Sequence, residues 1–217
     1  MTKTGKGGTR LFMILVALVA WFAVMLQLVL IIDKQPESGL SMARRLVDFL
    51  SFFTVQCNIL VAVSLTLSVA VPNLGIGRFF SKPSVNAALA IYILVVGIVY
   101  NVVLRSLWKP EGWQAVADNA LHLAVPVLYL IFWLFFVHRR QLTWKSPISW
   151  LVFPFLYLAY SLLRGGIVHV YPYPFIDVNL IGYPQTFINA GLLFIGFIVL
   201  GFLFVAFDKL GKTPVEK

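Results

Sequence analysis

Six apolar stretches, each about the length needed to cross a hydrocarbon core of ~30 Å, occupy most of the chain. A bilayer interior gives no water to backbone N–H and C=O groups, and a helix satisfies those groups within one segment. The expected spans are 10–32, 48–70, 86–107, 118–137, 147–163 and 186–207, and the expected class is all-α. Short connections leave no room for a separate soluble domain, so residues 1–217 read as a single six-helix transmembrane bundle. Pro72, Pro83, Pro110, Pro147 and Pro184 lie at or near span boundaries, while Pro126 and Pro154 lie inside spans four and five and predict kinks. The first stretch is too long for a signal-peptide core and has no clear small-residue cleavage site, so it counts as a span.

Charge fixes the expected orientation. The net charge is +9, but Lys and Arg cluster in loops and tails, where topology and anionic lipid explain them better than nucleic acid does. Eleven of them fall at the two termini and in the second and fourth loops, against six on the opposite side, which places both termini in the cytoplasm. The lone Cys57 excludes an intrachain disulfide. Three scattered His residues without HExxH or CxxC spacing give no metal motif, and no Gly-rich phosphate motif or cofactor signature is present.

Polar residues inside a membrane span are costly and therefore informative. With alternating spans, Thr54 and Asn101 lie ~9 Å, and His122 ~6 Å, from the outer ends of their helices. Helical spacing extends these into stripes of Ser51, Thr54 and Asn58, of Asn101 and Arg105, and of Asp118, Asn119 and His122. The inner half of most spans reads as nearly uniform Leu, Val, Ile and Phe, which points to a cavity opening outward. A hydroxyl beside an imidazole fits nucleophilic acyl transfer, since threonine needs a base to remove its proton as it attacks. Asp118 is placed to orient the His122 ring, and Asn58 or Asn101 is a candidate donor to a developing oxyanion. Each also has a plain structural role available: Thr54 bonding its own helix, the Asn residues joining helices, Arg105 snorkelling to the interface.

Loop five, RGGIVHVYPYPFIDVNLIGYPQ, is rich in aromatics, Pro and Gly, a composition that suits a partly embedded cap. His169 is a second candidate base. Tyr171 and Tyr173 read equally as interface aromatics.

Three segments, DFLSFFTVQCN (Asp48 to Asn58), LHLAVPVLYL (Leu121 to Leu130) and VYPYPFIDV (Val170 to Val178), carry a resemblance. Together with six spans in this order, the chain resembles the androgen-induced and androgen-dependent TFPI-regulating membrane proteins and their bacterial six-helix relatives. The resemblance implies a multipass threonine hydrolase of fatty acid esters of hydroxy fatty acids, with Thr54 as nucleophile and His122 as its partner. It implies no catalytic role for Asn58, Asn101, Arg105 or Asp118, it places Tyr173 to Phe175 in a re-entrant outer loop, and the free carboxylate of such an ester makes Arg164, His169 or Arg105 candidates to bind it. The expected partners are a lipid-ester substrate and membrane lipids, and the expected location is a bacterial cytoplasmic membrane. A small-solute transporter and a non-catalytic lipid-binding protein are the competing readings. Polar residues that stop halfway, and the lack of a half-to-half repeat, argue against transport.

Overall fold

The computed structural model describes residues 3–33, 41–107 and 109–210, and among these it is all helical. Six helices are long and apolar enough to cross a membrane, so the chain is an integral membrane protein. The chain divides into two compact units, one up to His138 and the other from Arg139. The first carries α1 (Lys3–Asp33), α2 (Met42–Leu50), α3 (Phe53–Ala70), α4 (Gly75–Phe80), α5 (Pro83–Val99), α6 (Gly112–Asn119) and α7 (Val125–Phe136). Four spans therefore belong to the first unit. The second holds α8 (Ser146–Trp150), α9 (Val152–Val168) and α10 (Val178–Leu210), which supply the other two.

In the first unit α1 packs on α3, α6 and α7, and α5 packs on α3 and α7. Val16, Ala17, Ala20, Ala23 and Val24 recur at helical spacing and are buried, and their small size lets the neighbouring backbones approach. Leu11, Leu15, Leu18, Phe22, Met25 and Val29 occupy the remaining surface of α1 and are exposed. Large apolar side chains facing outward along a whole helix are what a lipid-facing surface requires.

Span two is not continuous from residue 48. Ser41 caps α2 by accepting from the Arg44 N–H at 3.3 Å, and Arg44 pairs with Asp48 at 3.0 Å. The helix then stops at Ser51, whose Oγ donates to Val47 O at 2.6 Å, while Gln56 Nε2 donates to Leu50 O at 2.9 Å. Local side-chain bonds to the backbone thus satisfy the orphan carbonyls of α2, and α3 restarts after the extended Phe52. Buried Arg45 reaches Ile31 O at 3.3 Å and caps the last turn of α1.

The half of the spans that the sequence reads as uniformly apolar is less uniform than expected. Buried Tyr129 donates its hydroxyl to Asn86 Oδ1 at 3.0 Å, and Asn86 Nδ2 donates to Phe80 O and Lys82 O, each at 3.1 Å. Ser64 also interacts electrostatically with Tyr129. This small network joins α3, α5 and α7. Fully buried Val61, Leu65, Ile93 and Val125 pack on the same helices, so the network lies within an apolar core.

In the second unit, α9 runs to Val168, five residues past the expected end of span five. Span five is interrupted at Leu151, between α8 and α9, and Pro154 falls in the first turn of α9, where a missing N–H costs nothing. Loop five shrinks accordingly to residues 169–177. It is pinned at several points. His169 ends α9 in the left-handed conformation (φ 56°), its N–H bonding Gly165 O at 2.8 Å. The Tyr171 ring lies against Gly165, where a Cβ would sit 2.0 Å from Cε1. Burial, with Tyr183 and Asp177 nearby, pushes the Tyr171 phenol above its ordinary pKa. Asn189 Nδ2 donates to Phe175 O at 2.9 Å, and Asn179 Nδ2 to His169 O at 3.2 Å. Helix α10 starts at Val178, eight residues before the expected span, and breaks at Gly182 (φ 71°), ahead of Pro184. Thr186 Oγ1 donates to Gly182 O at 2.8 Å across that break.

Gly165 is thus a docking position for the loop. Gly165→Ala is expected to displace Tyr171 and speed limited proteolysis within 169–177, with the helices retained by circular dichroism. An unchanged cleavage pattern would show that the contact does not hold the loop.

Candidate active site

The functional candidates of the first unit gather around two π-helical turns, Tyr100–Leu104 after α5 and Ala120–Ala124 before α7. Such turns arise inside helices when the i→i−4 ladder is interrupted, and they concentrate at functional sites. The second has a visible cause. Pro126 has no N–H, so His122 O, its partner in α register, is left without a backbone donor. The wider register also sends the Val125 N–H to Ala120 O, which releases Leu121 O.

Both carbonyls find a side chain instead. Asn101 Nδ2 donates to His122 O at 3.1 Å and to Gly97 O at 2.8 Å. Asn58 Nδ2 donates to Leu121 O at 3.3 Å and to Thr54 O at 2.8 Å. Gly97 makes the approach possible, because a Cβ there would meet Pro126 Cβ at 3.2 Å and His122 O at 3.3 Å. Two asparagines therefore tie the His122 turn to α5 and to the first turn of α3, where Thr54 is buried.

These bonds bear on the expected oxyanion donors. Each amide has two hydrogens, and in each Asn both are committed to backbone carbonyls, so neither Asn58 nor Asn101 has an N–H left for an oxyanion. The two amides hold the site together. Asn58 Oδ1, by contrast, is fully buried with no hydrogen-bond partner. Arg105, exposed, donates to Asn101 Oδ1 at 2.6 Å and so orients that amide from outside.

His122 is held on several sides. Its Nδ1 lies 2.9 Å from Asp118 O and 3.3 Å from Asp118 Oδ1. A carbonyl and a carboxylate only accept, so Nδ1 is the nitrogen that carries the proton, and the Nε2 lone pair is left to act as a base. The Tyr100 ring stacks on the imidazole, with centroids 3.7 Å apart and 14° between planes. The Tyr100 hydroxyl and the Asp118 carboxylate interact electrostatically. Asp118 lies not at the helix mouth but six residues inside α6, and it is buried.

The remaining candidates separate. Ser51 ends α2 and so does not share a helical face with Thr54 and Asn58. His169 and Tyr173 belong to the second unit. His169 is exposed and closes α9, and Tyr173 stacks on Phe175 with centroids 5.1 Å apart. Tyr100 was not legible as a site residue: one aromatic in the run GIVYNVVL carries no signal of its own. Its neighbour Asn101 was the only hint. Among the described residues, no three His, Cys, Asp or Glu side chains converge as a metal site requires. Comparison with protein-family models, curated proteins and solved structures finds no match to this chain.

Proposed function

We propose that this protein is an intramembrane threonine hydrolase that cleaves a fatty-acyl ester, such as a fatty acid ester of a hydroxy fatty acid. The observation that carries the reading is the fixed imidazole: acceptors on Asp118 claim Nδ1 of His122, which leaves Nε2 basic in an apolar layer. In this mechanism Thr54 Oγ attacks the ester carbonyl carbon while Nε2 takes its proton. The tetrahedral intermediate collapses, the alkoxide leaves with that proton, and an acyl-threonine remains. Water, deprotonated by the same nitrogen, then releases the fatty acid and restores the hydroxyl. The sequence resemblance supports the choice of Thr54 and of a lipid ester.

The orientation that goes with this reading has both termini in the cytoplasm, and the membrane is a bacterial cytoplasmic one. The π-helical turns and α2 then lie toward the outer leaflet. An ester within a two-chain lipid reaches such a depth without leaving the bilayer. The test is intact-mass labelling of detergent-purified protein with a fluorophosphonate, in which Thr54 Oγ displaces fluoride and forms a P–O bond. One adduct on the wild type supports the reading; none on folded protein moves the site to ligand binding or transport.

A further inference from the structure

Tyr100 and His122 are brought together by more than packing. Tyr100 opens one π-helical turn, and the Arg105 N–H closes that turn on Tyr100 O at 2.8 Å. The next residue, Asn101, holds the His122 carbonyl at 3.1 Å. Two successive residues of one turn therefore grip His122, one at its backbone and one at its ring. Asp118 stands one helical turn before His122, with its carbonyl 2.9 Å and its carboxylate 3.3 Å from Nδ1. The same carboxylate interacts electrostatically with the Tyr100 hydroxyl. The three side chains close a triangle.

We propose that Tyr100 and Asp118 are the positioning pair of this site: Asp118 keeps the proton of His122 on Nδ1, and Tyr100 fixes the plane of the imidazole and the rotamer of the carboxylate. Each does what the other cannot. The acceptors of Asp118 select the tautomer but leave the ring free to rotate about the Nδ1 contact. A stacked phenol blocks that rotation but is indifferent to which nitrogen is protonated, and its hydroxyl holds the carboxylate electrostatically. Neither residue touches the reacting atoms. Their purpose rests on the hydrolase reading, but their geometry can be tested without it.

The experiment combines histidine 15N spectra of the micelle-bound protein with the rate of fluorophosphonate labelling at Thr54. The His122 signal is assigned by its loss in His122→Gln. In the wild type we expect the Nδ1–H tautomer, with ring protons moved upfield by the Tyr100 stack. Asp118→Asn removes the carboxylate but keeps the backbone carbonyl 2.9 Å from Nδ1, so the tautomer should be kept while labelling falls by about 10-fold or more, a part of what a general base supplies. Tyr100→Leu should abolish the upfield shift and slow labelling by about 10-fold or more, whereas Tyr100→Phe should keep the shift and slow labelling only about 2–10-fold, each being a part of the general-base contribution.

An Nε2–H tautomer in the wild type overturns the proposal, as does wild-type labelling in Asp118→Asn. If Tyr100→Leu does not fold, Tyr100→Phe decides the hydroxyl's role, and wild-type labelling in that variant refutes it. If the wild type never reacts with the phosphonate, the hydrolase reading fails, and the tautomer and ring shift still decide whether this pair positions His122.

Discussion

Thr54→Ala is expected to remove the phosphonate adduct and all measurable ester turnover, and His122→Ala to reduce both by at least about 10²–10⁴-fold. Loss of the nucleophile leaves nothing to acylate, whereas loss of the base leaves a hydroxyl that attacks at its intrinsic low rate. Intact mass after hours of labelling separates the two outcomes: the His122 variant should acquire the adduct slowly and the Thr54 variant never. Thr54→Ser should retain labelling, because a primary hydroxyl has the same chemistry. An adduct that persists in Thr54→Ala would place the nucleophile elsewhere. Thr54→Ala should keep the helices by circular dichroism, since Asn58 Nδ2 donates to the Thr54 backbone carbonyl at 2.8 Å and an alanine supplies that carbonyl equally.

Asn58→Leu is expected to have the largest effect on stability. Asn58 is fully buried, and its amide is the donor that reaches Leu121 O, freed by the π-helical register. A leucine of similar volume leaves that carbonyl unpaired in the protein interior, at a cost of about 1–3 kcal/mol. The orphan Asn58 Oδ1 is removed by the same change, which offsets part of the loss. The variant should therefore melt several degrees lower in detergent, and labelling at Thr54 should also slow, because α3 and the His122 turn lose their tie. Asn101→Leu should act in the same direction but more weakly, as Asn101 is only part-buried. If Asn58→Leu melted at or above the wild-type temperature, the buried amide would not be holding these helices.

The spans were legible because composition alone enforces them. In lipid a helix must be long and apolar, and no tertiary partner is needed to choose that state. The local breaks were not legible. DFLSFFT contains neither Gly nor Pro, yet the helix ends within it, because the side chains of Ser51 and Gln56 compete for backbone carbonyls. Loop five was overestimated for a related reason. Its Gly and Pro residues read as irregular, but Gly165 lies inside α9 with Tyr171 packed on it, and Pro184 lies inside α10. The group of Ser64, Asn86 and Tyr129 carries no signal in the sequence because each is an isolated polar residue in an apolar run.

The site divides along the same line. The sequence by itself determined which residues are too polar for their surroundings, and Thr54, Asn58, Asn101, Asp118 and His122 all emerged from that single principle. It also showed Pro126 four residues after His122, which is enough to free one carbonyl. Only the tertiary structure decided what each polar group does with its bonds. The Asn amides were exhausted on backbone carbonyls of neighbouring helices, Asp118 was turned onto Nδ1, and Tyr100 was laid on the ring. Cost of burial is a property of one residue and its depth, so it can be read along a chain. Satisfaction of a hydrogen bond belongs to a pair, and here the partners lie on separate helices whose approach is set by packing at positions such as Gly97.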